Sequence, residues 1–132
     1  MIAIDTNVLV RFLTRDDPDQ ARAATQFMNG LRQSDPGFVS REVMVELVWV
    51  LERAYGFSRA EVAGALEGLL SATEIEVELA DDTGSAVLQY RESGFGFADL
   101  MIAAAARRMD AVPLVTFDRK AARIPGVELL ET

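Results

Sequence analysis

The chain opens on an unbroken apolar run, Met1-Ile2-Ala3-Ile4, that stops at Asp5-Thr6-Asn7. β-Branched Ile2 and Ile4 in such a run predict a buried inner strand with Asp5 at its carboxyl end. Residues 8–14 set Leu9, Phe12 and Leu13 on one stripe and predict a short helix. Asp16-Asp17-Pro18-Asp19 is a turn, with Pro18 placed to open a second helix over 19–33. That helix would present Ala21, Ala24, Phe27, Met28 and Leu31 on one face. Ser34-Asp35-Pro36-Gly37 ends it, Phe38-Val39 predicts a short strand, and Ser40 is placed to cap the next helix.

Residues 41–55 form the most apolar helical segment, with Val43, Leu47, Val50, Leu51 and Ala54 as its core stripe. At about 100° per residue, Glu46 projects between Val43 and Val50, on the shoulder of that stripe. Gly56 stops the helix. Ser58 with Glu61 makes a capping box for another helix through residue 72, with Val62, Ala65, Leu66 and Leu69 inward. Residues 74–79 alternate Glu-Ile-Glu-Val-Glu-Leu, the period of a half-buried strand. Asp81-Asp82 charges the start of a helix that ends near residue 92. Gly94-Phe95-Gly96 is a loop, and Asp99 leads a thin, alanine-rich helix, Leu100 to Ala106. Residues 111–117 are a second apolar strand ending in Asp118, and residues 127–130 are a last short one. Strands and helices alternate throughout. The expectation is an α/β fold, one domain over 1–132, with a mainly parallel central sheet of four to five strands and helices on both faces.

Composition narrows the chemistry. Cysteine and histidine are both absent. That excludes disulfides, thiolate or imidazole metal sites, cysteine nucleophiles, histidine phosphotransfer and Ser-His-Asp hydrolysis. Carboxylates, hydroxyls, Lys and Arg remain. Thirteen basic against 21 acidic residues leave a formal charge of −8. Such acidity argues against a passive nucleic-acid binder, and it suits a cation-filled site as well as none. No apolar run reaches the length of a membrane span, and Asp5 falls too early for a signal peptide. A cytoplasmic protein without membrane attachment is expected.

Four acids stand where the pattern expects an apolar residue or a strand end: Asp5, Glu46, Asp99 and Asp118. Each has a plain structural use. Asp5 and Asp99 would cap helices, Glu46 would bend out to water or pair with Arg53 or Arg41, and Asp118 would close an Asx-turn. Their joint use is different. Open α/β sheets bind ligands at the carboxyl ends of strands, where Asp5 and Asp118 both fall. Carboxylates crowded there stay ionised only with a cation among them, and Mg²⁺ or Mn²⁺ is the hard ion that oxygen ligands favour. Ions so held activate a water and clamp the oxygens of a phosphodiester, so hydrolysis needs no protein nucleophile. Thr116, on the same side of its strand as Asp118, would hydrogen-bond a ligand carboxylate or a water on the metal, beside its plain use as a β-former.

Met1-Ile-Ala-Ile-Asp5-Thr6-Asn7-Val8-Leu9, then Val43-Met-Val-Glu46-Leu-Val-Trp-Val-Leu51, Phe97-Ala-Asp99-Leu-Met-Ile-Ala-Ala104 and Val115-Thr116-Phe117-Asp118 resemble the successive signatures of PIN-domain ribonucleases. The set is most similar to VapC-type toxins of bacterial toxin–antitoxin pairs, and it covers nearly the whole chain. The resemblance implies a single PIN-like domain acting as a Mg²⁺- or Mn²⁺-dependent endoribonuclease. It also implies a homodimer silenced by a small VapB-like antitoxin, with Asp5, Glu46, Asp99 and Asp118 as metal-holding catalytic residues. The RNA is not specified: tRNA, rRNA and mRNA all stay open. Basic residues near the motifs are few, with Arg11, Arg15, Arg107, Arg119 and Lys120 as the candidates to rim the site. Phe12, Trp49, Tyr55 and Phe57 are placed for core, with an antitoxin or dimer contact as the alternative.

Two other classes compete. A catalytically inactive scaffold of the same fold would make the acids dispensable, although unused acids on an apolar face are a liability. A phosphorylation-switched signalling domain would want paired acids at the first strand end, where this chain has Asp5 and then Asn7.

Overall fold

A computed structural model describes every residue, Met1–Thr132. Strand β1 (Ile2–Ala3) leads into helices α1 (Thr6–Thr14) and α2 (Pro18–Gly30). Strand β2 (Gly37–Val39) is followed by α3 (Arg41–Arg53) and α4 (Arg59–Ser71). Strand β3 (Ile75–Val77) precedes α5 (Ala80–Glu92) and α6 (Phe97–Arg108). Strands β4 (Leu114–Thr116) and β5 (Val127–Leu129) close the chain, with a 3₁₀ turn at Ala121–Arg123 between them. No helix is long and apolar enough to cross a membrane.

The helix starts follow from local chemistry. Asp17 accepts the Gln20 N–H at 3.1 Å with Pro18 at the first helical position, and Ser40 accepts the Val43 N–H at 3.1 Å. The Ser58–Glu61 box is reciprocal, at 2.9 and 3.1 Å. Each such cap satisfies donors that would otherwise be orphaned, worth about 1 kcal/mol. Gly56, at φ +65°, breaks the chain after α3 in a conformation costly for other residues.

Every strand pairing is parallel, but the five strands form two sheets. β1, β2 and β3 pair in that spatial order, with Ile2 opposite Gly37 and Gly37 opposite Ile75. β4 and β5 pair separately, with Leu114 opposite Val127. The expected count of strands and their parallel pairing are thus present, divided three plus two. β1 is a correction: it is an edge strand, not an inner one, and Ile2 is 50% exposed. Two residues of strand reach only one neighbour, through the Ile2 and Ile4 N–H groups onto the carbonyls of Pro36 and Phe38. Ile4 nonetheless enters the core, lying over Gly37.

α3 is the centre of the helical layer, packed by α1, α4 and α6. Its buried face is Met44, Leu47, Val48 and Leu51. That face is rotated from the expected stripe: Val43 and Val50 are half-buried shoulders and Ala54 is exposed. Contact from several sides draws in Met44 and Val48. Glu46 is thereby turned outward and is exposed. α6 buries Leu100, Met101, Ala103 and Ala104, its alanines admitting close approach.

The register that carries β1 to Asp5 depends on Gly37, where a Cβ would lie 2.6 Å from Ile4 Cδ1 and 3.0 Å from Leu31 Cδ1. Gly37→Ala is expected to destabilise the protein by about 1–3 kcal/mol through overpacking. Urea unfolding checks this, and an unchanged midpoint would show that Ile4 repacks freely.

Candidate active site

Asp5 stands between β1 and α1 and serves as the helix cap. It is extended at φ −80°, ψ 160°, and its Oδ1 accepts the Thr6 N–H at 2.8 Å. Its carboxylate is exposed. Thr6 beside it is buried, and Thr6 Oγ1 has no hydrogen-bond partner. A buried hydroxyl in that state costs free energy, and nothing in the residue pattern around Thr6 signals it.

Asp118 follows β4 and forms the Asx-type turn. Its Oδ1 accepts the N–H groups of Lys120 at 2.8 Å and Ala121 at 3.0 Å. Thr116 Oγ1 accepts the Asp118 N–H at 3.0 Å. The threonine therefore fixes the turn that presents the acid, through the Asp118 backbone and not through a carboxylate.

Asp99 departs from its plain structural use. Gly96, not Asp99, is the N-cap of α6, and Asp99 is the third residue of the helix. A Cβ on Gly96 would lie 3.2 Å from Asp99 Oδ2, so the missing side chain makes room for the carboxylate to fold back over the helix start. Burial, then the neighbouring charge of Asp118, pushes the Asp99 carboxyl above the usual carboxylate range, and Lys120 partly opposes both. Asp99 and Asp118, from two segments distant in sequence, therefore lie within electrostatic reach of each other, with Lys120 acting on the same carboxylate.

Glu46 forms neither expected ion pair. Arg41 lies 3.9 Å from Glu78, and Arg53 sits over the Trp49 ring at 6.0 Å. Glu46 instead lines a cleft of about 580 Å³ between α3 and α6, with Trp49, Met101 and Ile102. Of the four acids, Asp99 is the one on which another of them, Asp118, acts electrostatically. No group of three acids is close enough to hold an ion among them.

The basic residues divide similarly. Arg11 is engaged by Asp16 at 2.9 Å, Tyr55 at 3.0 Å and Gln20 at 2.7 Å, and Arg15 by Thr25 at 3.1 Å. Arg107 and Arg119 are exposed. Lys120 reaches over the loop before α6, its Nζ 3.7 Å from where a Gly94 Cβ would be. Phe12, Tyr55 and Phe57 pack against the core, as expected, whereas Trp49 is 58% exposed.

Known proteins match almost the whole chain. The family described as PIN domain matches residues 2–127. A protein named VapC ribonuclease from Aquifex aeolicus is 30% identical over 121 residues, covering 91% of this chain and 89% of that protein. Ribonuclease VapC23 from Mycobacterium tuberculosis is 32% identical over 121 residues, covering 89% of this chain and 93% of its own.

The acids carry opposite stability signs. Because the folded state raises the Asp99 carboxyl, it binds that proton more tightly than the unfolded chain does. Stability therefore falls as pH rises from the ordinary carboxylate range through the raised native value, and the full penalty applies above it. Asp99→Asn is expected to melt higher than wild type at neutral pH in metal-free buffer, with the advantage gone once both states are protonated. A lower midpoint would mark this carboxylate as a support. Asp5→Ala should instead lose about 1 kcal/mol with its cap, and Asp5→Asn should retain most of it. Thermal scans of the three variants test both signs.

Proposed function

The chain belongs to the PIN-domain family, and we propose that it is the ribonuclease toxin of a toxin–antitoxin pair, a Mg²⁺- or Mn²⁺-dependent endoribonuclease. The observation that carries the metal-dependent part is a partly buried Asp99 within electrostatic reach of Asp118 in a chain with no imidazole or thiol. Two carboxylates within electrostatic reach, one of them raised by burial and then by the other's charge, are a donor set of hard oxygens. Mg²⁺ keeps several waters and is commonly held by one or two carboxylates together with substrate phosphates, so the pair fits it. The unpartnered Thr6 hydroxyl beside Asp5 marks a second place with unmet polar valence.

In this reading Asp99 and Asp118 hold the ion, and Asp5 and Glu46 complete the catalytic set through water or substrate. When bound, the ion supplies an activated water and charge stabilisation on the phosphodiester. The chain's own residues supply position. Two backbone N–H groups occupy Asp118 Oδ1 and fix the carboxylate's orientation. Gly96 admits the Asp99 carboxylate against the start of α6. Lys120 and Arg119 put positive charge on the turn beside the pair, where an RNA phosphate would approach. The partners proposed are RNA, a small VapB-like antitoxin and a second copy of this chain, in the cytoplasm.

The absence of any three-acid group favours one competing reading, a catalytically inactive PIN-like scaffold that binds protein or RNA. The two separate cleanly. A nuclease should cleave RNA in Mn²⁺, stop in EDTA and recover when the ion is restored. Asp99→Asn and Asp118→Asn should each lose at least about 100-fold in rate, beyond what outer supporting partners typically cost, while remaining folded by circular dichroism. Undiminished cleavage in EDTA or in either variant rules the metal reading out. In cells, expression of the wild-type chain should arrest growth, co-expressed VapB-like antitoxin should relieve it, and the Asp99→Asn chain should be harmless. A wild type without effect favours the scaffold.

A further inference from the structure

Arg59 occupies an unfavourable place for a cation. It is the first residue of α4, at the positive end of the helix macrodipole. The compensation comes from elsewhere. Its Nη1 donates to the carbonyls of Tyr90 at 2.9 Å and Phe95 at 2.7 Å, and its Nη2 to that of Gly94 at 3.4 Å. Tyr90 lies in the last turn of α5, where carbonyls lack helical partners and the dipole is negative. The guanidinium also sits 4.2 Å over the Tyr90 ring. That ring is fully buried, its hydroxyl donates to Glu52, and Phe97 meets it edge-on at 6.0 Å.

These contacts converge on the start of α6. Gly94 and Phe95 are the loop that launches the helix, Phe97 is its first residue, and Asp99 lies two residues further on. Asp99 makes no hydrogen bond that would locate it by itself, and Lys120 rests over the same Gly94 loop. We propose that Arg59 is a positioning residue for the acid pair: by gripping three carbonyls across the α5–α6 connection it sets where Asp99 meets Asp118. A lysine cannot reproduce the grip, because an ammonium is a point donor and the guanidinium is a planar fork.

The proposal rests on the nuclease reading above, and the test keeps the two apart. Wild type, Arg59→Gln and Arg59→Lys are compared by Mn²⁺ titration, by the Mn²⁺ dependence of RNA cleavage and by amide hydrogen exchange. Arg59→Gln is expected to raise the half-saturating Mn²⁺ about 10-fold, with the rate at saturating Mn²⁺ little changed, in line with losses of supporting partners around metal ligands. Exchange should quicken over residues 97–101 while α3 keeps wild-type protection, a local opening and not a global one. Arg59→Lys, which keeps the charge over Tyr90, should fall between and serves if Arg59→Gln does not fold. Unchanged Mn²⁺ dependence in both folded variants, or equal quickening across α3 and α6, overturns the positioning role. A wild-type chain that neither binds Mn²⁺ nor cleaves RNA overturns the nuclease reading, and this one with it.

Discussion

Burial of the Asp99 carboxylate, within reach of the charge on Asp118, is the constraint that the fold around them has to bear. Like charges brought together from distant segments separate unless the backbone at each end is held. On one side, the Lys120 and Ala121 N–H groups and the Thr116 hydroxyl tie down the Asp118 turn. On the other, α6 is anchored by buried Phe97, Leu100, Met101, Ala103 and Ala104. The rigidity is therefore supplied by hydrogen bonds at one acid and by apolar packing at the other.

That division explains what could be read in the sequence. Caps and boxes are local, so Ser40, Asp17 and the Ser58–Glu61 pair appear where residue type and spacing place them. The parallel α/β order and the candidate acids were legible too, the latter because an acid at the end of an apolar run stands out. Which face of α3 is buried was not legible, because Val43 or Met44 can lead a helical stripe and only the packing of neighbouring helices chooses Met44. The edge position of β1 and the split into two sheets depend on backbone pairing between segments far apart. Arg59 carries no sequence signal at all. Its partners are carbonyl groups, and carbonyls are the same at every residue.

The net charge of −8 gains meaning beside these positions. An acidic surface repels RNA at long range, so productive approach depends on local positive charge and on neutralisation at the acid pair. Arg11 and Arg15 contribute little to this, being engaged within the α1–α2 region. Lys120 and Arg119 remain at the turn that carries Asp118, and Arg107 stays exposed on α6. Steering by so few bases is weak and short-ranged, screened beyond about 8–10 Å at ordinary ionic strength.

Asp5 and Asp99 show how a stable fold and a reactive site can share a residue type without sharing a cost. Asp5 contributes to folding as a cap, and a cap leaves one carboxylate oxygen for other work. Asp99 makes no capping hydrogen bond, and although its place in the first turn of α6 suits the helix macrodipole, its carboxyl is raised by burial and by its neighbour. An acid that stabilises its own helix persists for that reason alone, so its presence says little about chemistry. An acid that burdens the fold, and is accommodated by a glycine at the helix start, is harder to attribute to folding. The case for chemistry is therefore strongest at the position where the structural account is weakest, and Asp99 is that position.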